Sequence, residues 1–180
     1  MIIGTKELLK RVKEENLLED LSERELNNPE GAGFDLRVGK VYKILEDGFL
    51  GVNERKTPDV KLLASYSEGE TRSFVLKPGE HILVETIEKV NMPDDLVALF
   101  RPRTTLFRCG ASIHTAACNP GYRGTLMFAM HNMSDKDFKF ELGSRIVHVL
   151  FSPIKGGIHR AYEGQWQGGR ITTGGKEKQI

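Results

Sequence analysis

Three short segments carry the residue types from which a polyphosphate site can be made. Arg103-Thr104-Thr105-Leu106-Phe107-Arg108 sets guanidinium groups at both ends of a pair of hydroxyls. Asn119-Pro120-Gly121-Tyr122-Arg123-Gly124 puts an amide and a phenol on a tight turn, and Gln167-Gly168-Gly169-Arg170-Ile171-Thr172-Thr173-Gly174 adds flexible, donor-rich backbone downstream. Guanidinium forks match phosphate oxygens two at a time, and glycine-rich backbone can turn its N–H groups toward an anion. Taken singly, each segment has a plainer reading: a solvated basic turn, an Asn that opens a Pro-Gly turn, a solubilising tail. Their order along one chain is what points to a nucleotide pocket.

The bulk composition excludes several alternatives. Lys and Arg total 26 against 25 for Asp and Glu, a net charge of +1, so there is no global field of the kind that holds nucleic acid nonspecifically. With 39% hydrophobic and 28% charged residues the chain fits a globular protein, and 180 residues suit one domain, 1–180, rather than two. No window approaches a membrane span, and the start lacks a signal-like apolar core, so the expected location is the cytoplasm, with no membrane or nucleic-acid partner. Cys109 and Cys118 are the only cysteines and are expected to be reduced. Neither belongs to a Cys-x-x-Cys pair, and His81 and His159 show no partner spacing, which argues against zinc.

These groups need elements to hold them. Thr5 is placed to cap a helix whose Leu8, Leu9, Val12 and Leu17 fall near one face, and Ser22 to Gly31 is a polar interval. An alternating pattern begins at Gly31–Gly39, and strands are expected at 73–76, 81–87, 96–100, 125–130 and 145–151, separated by turn signals such as Lys77-Pro78-Gly79-Glu80. Many short strands without long crossover helices imply an all-β sandwich or jelly-roll-like barrel with a short N-terminal helix. Residues 156–180 are glycine-rich and poor in aliphatics, and are expected to form a flexible C-terminal arm.

Five segments in order, Ala32-Gly33-Phe34-Asp35-Leu36-Arg37, the 103–108 and 119–124 motifs, Gly143-Ser144-Arg145-Ile146, and Tyr162-Glu163-Gly164-Gln165-Trp166-Gln167-Gly168, resemble the dCTP deaminase and dUTPase superfamily. The resemblance spans nearly the whole chain. It implies a distorted, β-clip-like jelly roll assembled as a homotrimer, with active sites at subunit boundaries and the 156–180 arm closing over the nucleotide. It further implies that Arg103, Thr104, Thr105, Leu106, Phe107 and Arg108 meet the phosphates, that Asn119 and Tyr122 recognise the sugar, and that Met127, Phe128 and Ala129 join the substrate site. Tyr162, Gln165, Trp166, Gln167, Gly168 and Arg170 match positions that contact base and phosphates. Arg37 and Arg145 are read as ion-pair residues, and His148, inside an apolar run, as structural.

The chain departs from the family pattern at informative places. Asn119 stands where an aspartate usually binds the sugar and helps activate water; an amide keeps the hydrogen-bonding shape but takes no proton at neutral pH. Ala129 stands at the position of the deaminases' proton-shuttling glutamate, which argues for triphosphate hydrolysis over deamination. Arg170 replaces a stacking phenylalanine. His114 and His131 flank the turn and its strand and are candidates to supply the missing base. Asp35 is a candidate to hold the waters of a magnesium ion carried by the triphosphate. The expected activity is magnesium-dependent conversion of dUTP to dUMP and pyrophosphate, the alternative is deamination of dCTP to dUTP, and a third reading is a deoxynucleotide-binding regulator without catalysis.

Overall fold

Leu8, Leu9 and Val12 put an apolar stripe on the first helix, α1 (Thr5–Glu15), of the computed structural model, which describes residues 1–179. Leu8 is fully buried while Leu9 and Val12 pack against the core from its margin. The helix is capped by the extended backbone of Gly4 and not by Thr5, whose hydroxyl turns away and donates to the Gly31 carbonyl at 3.3 Å. Arg11 ties α1 to the body through a two-pronged pair with Asp95, at 3.0 and 2.8 Å.

A two-residue strand, β1 (Leu18–Glu19), leads into the polar interval, which is not a plain loop: α2 (Glu23–Asn27) forms there with Ser22 accepting from the Glu25 amide. Next comes β2 (Phe34–Ile44), whose Phe34, Leu36, Val38 and Val41 are fully buried. Its burial does not alternate as the sequence pattern implied, because β2 lies inside the largest sheet and Asp35 and Gly39 are covered as well.

The remaining elements follow as β3 (Phe49–Leu50), β4 (Glu54–Lys56), β5 (Val60–Ser65), β6 (Ser73–Leu76), β7 (His81–Asn91), β8 (Leu96–Pro102), the short helix α3 (Thr104–Arg108), β9 (Ala111–His114), β10 (Arg123–Asn132), β11 (Phe138–Glu141), β12 (Arg145–Pro153) and β13 (Glu177–Lys178). The main sheet has eight strands in the order β8-β12-β2-β7-β10-β9, with β1 added to β7 and β5 to β2, and every pair is antiparallel. It curves into a barrel-like, jelly-roll wall around Phe34, Val84, Met130, Val149 and Phe151, all almost wholly buried. Each such side chain contributes about 1.5–3 kcal/mol by leaving water. Two smaller sheets, β11-β6 and β13-β4-β3, flank it, and the second draws its outer strand from the 156–180 segment.

Candidate active site

The turn at 119–124 and strand β10 form one wall of a cavity of about 550 Å³. A bulge between Thr125 and Met127 breaks the strand's alternation, so Leu126, Met127 and Phe128 all face this space. Leu83 on β7, Phe100 on β8 and Ile44 at the end of β2 complete an apolar floor, and Tyr162, Trp166, Arg170 and Ile171 of the arm roof it. Sequence reasoning had placed Asn119, Tyr122, Met127, Phe128, Tyr162, Trp166 and Arg170 in the site, and the structure brings these seven together. The apolar floor escaped it, since strand periodicity marks such residues as core without saying that a gap lies above them.

Among the described residues no carboxylate or imidazole lines the cavity. Asn119 is exposed, and its side-chain amide makes no hydrogen bond among the described residues; only its backbone carbonyl is used, by the Tyr122 amide at 3.2 Å. Tyr122 packs edge-on against Tyr162 with 5.7 Å between ring centres, and its hydroxyl donates to the Thr125 carbonyl. Burial pushes the Tyr122 phenol up to about 12 and the Cys118 thiol up to about 12, so neither serves as a base or nucleophile near neutrality.

The arm lies along the turn. Tyr162 donates its amide to the Pro120 carbonyl at 2.7 Å, and the Gln167 side chain accepts from the Arg123 amide at 2.7 Å while donating to the Gly121 carbonyl at 2.9 Å. Two glycines make this contact possible. A Cβ on Gly121, whose φ is +85°, would lie 2.8 Å from the Ala161 Cβ, and one on Gly124 would lie 2.6 Å from the Gly168 carbonyl carbon. Gln167 thus pins the turn and Gly168 lets the backbone cross it, while Gln165 faces a second, more open cavity of about 850 Å³; none of the three lines the first. Arg170 is held by the Thr173 carbonyl and by Glu177, an arrangement that leaves its plane engaged by acceptors rather than by a ring.

The arginine motif is elsewhere. After the Arg103 cap it forms α3, with Leu106 buried and Thr104, Thr105, Phe107 and Arg108 exposed, and no residue of 103–108 lines either cavity. Arg103 itself pairs with Asp35. Asp35 is buried, its Oδ1 faces His148 Nδ1 at 2.8 Å, and its Oδ2 accepts from Arg145 at 3.0 Å; Arg24 stands 3.8 Å away. Burial, followed by repulsion from Arg145 and Arg24, lowers the Arg103 pKa. A carboxylate with both oxygens engaged and three guanidinium groups around it does not fit the role of a magnesium holder. Among the described residues no cluster of three or more His, Cys, Asp or Glu has metal-binding geometry. His148 is structural, fixed between Asp35 and the Ala32 carbonyl at 2.6 Å, and Arg37 and Arg145 form intrachain ion pairs, Arg37 with buried Glu88 at 2.7 Å.

Ala129 pairs in register with His114 on β9 and Leu83 on β7, and His131 pairs with Ser112 and His81. The rings of His81 and His114 lie 6.3 Å apart, with His131 6.1 Å from His81. His81 therefore has partners that its spacing in sequence did not reveal. Burial and then the neighbouring His131 and His114 lower the His81 pKa.

With fold and cavity in view, the chain belongs to the dCTP deaminase-like family, whose model matches residues 2–154. The relatives include two kinds. A probable deoxyuridine 5'-triphosphate nucleotidohydrolase of Methanothermobacter thermautotrophicus is 35% identical over 136 residues, covering 76% of this chain and 85% of that protein. A dCTP deaminase of Pyrococcus furiosus is 29% identical over 170 residues, 94% of this chain and 96% of that protein. The crystal structure of 2'-deoxycytidine 5'-triphosphate deaminase from Agrobacterium tumefaciens shares the fold at a TM-score of 0.63 and 17% identity, over 83% of this chain and 46% of that one. The chain thus spans less than half of that structure.

Proposed function

We propose that the protein is a cytoplasmic, homotrimeric dUTP diphosphatase that releases dUMP and pyrophosphate. The observation that carries this reading is the cavity itself: an apolar slot for a nucleobase with Asn119 and Tyr122 at the rim for the sugar, under a roof of arm residues. The methanogen relative is in keeping with hydrolysis. The exposed motif on α3 supports the trimer, since Thr104, Thr105 and Arg108 stand free of their own chain's cavity and suit phosphates bound in a neighbour's. The apolar floor and the Trp166 roof reduce the water around a seated nucleobase, which favours burial of its ring. Magnesium enters as part of the substrate, held by phosphate oxygens, since Asp35 has no free oxygen for it.

Incubation with dUTP and with dCTP separately, each with and without magnesium, followed by resolution of all products, tests the proposal. It expects pyrophosphate and dUMP from dUTP. Ammonia from dCTP with the triphosphate intact would instead favour deamination, the activity in the Pyrococcus relative's name. Tight binding without either product would favour a regulator, the reading to which a carboxylate-free cavity lends support. Light scattering that found a stable monomer still able to bind nucleotide would remove the shared-site argument.

A further inference from the structure

One carboxylate on the arm sits where a phosphate would fit. Glu177 Oε1 accepts from Arg55 Nε at 3.1 Å and Nη2 at 3.0 Å, while Oε2 accepts from Arg170 Nη1 at 2.9 Å. A carboxylate and a phosphate offer guanidinium forks the same pair of oxygens, and two guanidinium groups sharing one carboxylate leave a positive charge unbalanced. The Arg55 fork is held in place from two sides. Its strand pairs with β13, Arg55 opposite Glu177, and its guanidinium lies over the Trp166 ring at 5.0 Å.

The location matters as much as the geometry. Arg170 lines the apolar cavity, Arg55 lines the open one, and Asn119, Tyr162 and Trp166 line both. The bridge between the arginines therefore spans the seam at which a nucleoside seated in the first cavity would extend its phosphates into the second. We propose that Arg55 and Arg170 form an anion fork for the phosphate chain of the bound nucleotide, and that Glu177 is an internal occupant which the phosphates displace. This rests on the reading of the apolar cavity as a nucleoside site. It adds a residue, Arg55, that no motif in the sequence marked.

Trp166 is the only tryptophan in the chain, so its emission reports on the fork directly. Inorganic pyrophosphate and deoxyuridine are titrated separately into the full chain, by tryptophan fluorescence and by calorimetry. Pyrophosphate is expected to perturb Trp166. Arg55→Ala should weaken pyrophosphate by about tenfold or more, the usual worth of charge-assisted hydrogen bonds, and Glu177→Gln should tighten it several-fold. Arg55→Lys keeps the charge without the fork and should fall between, which covers the case in which the alanine variant unfolds. Deoxyuridine binding should not respond to Glu177→Gln and should respond to the Arg55 variants far less than pyrophosphate does, since Arg55 reaches the nucleoside cavity only through Trp166. Equal pyrophosphate affinity in Arg55→Lys and the parent, or weaker binding in Glu177→Gln, overturns the fork. Tightening in Glu177→Gln without any dUTP turnover leaves the fork standing and removes the hydrolase reading, whereas turnover indifferent to Arg55 does the reverse.

Discussion

Asp35 and Asn119 each belong to a recognisable motif, yet the structure surrounds them in opposite ways. Asp35 is buried beneath Arg103, Arg145 and His148, with both oxygens engaged. Asn119 is exposed at the junction of two cavities with its amide uncommitted. A side chain whose bonding capacity is used up inside the chain holds the fold together and has little left for a ligand. One that the fold positions and leaves unsatisfied is available to a substrate.

The largest effect that tests this contrast lies at Asn119. If the attacking water is activated from this rim, Asn119→Asp should raise dUTP hydrolysis by about 10²–10⁴-fold, the usual contribution of a placed general base. Binding of an unhydrolysable analogue should change far less. A parent that already turns over well and gains nothing from the aspartate would move attention to His81, His114 and His131. At the other centre, Asp35→Ala should lower unfolding free energy by about 2–3 kcal/mol in urea melts, less than the ~3–5 of a fully buried pair because its arginines are about one-third exposed to water. Loss of activity at unchanged stability would show instead that Asp35 serves the site.

Deleting the chain after Ala161 removes the whole roof over the cavity, Tyr162, Trp166, Arg170 and Ile171. Nucleotide affinity should fall about tenfold or more, the worth of a few charge-assisted contacts, with only a small change in thermal midpoint because Thr173 alone is buried among the described residues of the removed segment. Equal affinity in the truncated form would show the roof to be incidental. The smallest effect concerns the imidazoles. The folded pKa of His81 is lowered, so the unfolded chain binds more protons between that value and the ordinary one near 6.5. Stability is then complete above about pH 6.5 and declines as pH falls through the folded pKa. His81→Gln should flatten that part of a plot of melting temperature against pH.

Strands with strong periodicity were legible: 73–76, 81–87, 96–100, 125–130 and 145–151 all lie within observed strands. β11 was missed although Phe138-Lys139-Phe140-Glu141 alternates buried and exposed, and β5 was missed because Val60–Ser65 is mostly surface and carries no such alternation. α3 gave no helical signal, since Thr104-Thr105 are weak helix formers and its five residues are too short to show a face. In the site, polar motif residues announced themselves by type. Ile44, Leu83 and Phe100 did not, being indistinguishable in sequence from core, and Arg55 became visible only once β13 was seen to pair with its strand.

The pairing of β13 with β4 has a consequence for handling the protein. β4 is the middle strand of its small sheet only while the arm is present. Remove the arm and β4 becomes an open edge whose backbone N–H and C=O groups face outward, on a hairpin already displaying Phe49, Leu50 and Val52 to solvent. Bare edges beside apolar side chains recruit strands from other molecules. The arm is therefore a guard against self-association as well as a roof, and truncated protein should form soluble aggregates at concentrations where the full chain stays dispersed, as size-exclusion chromatography would reveal.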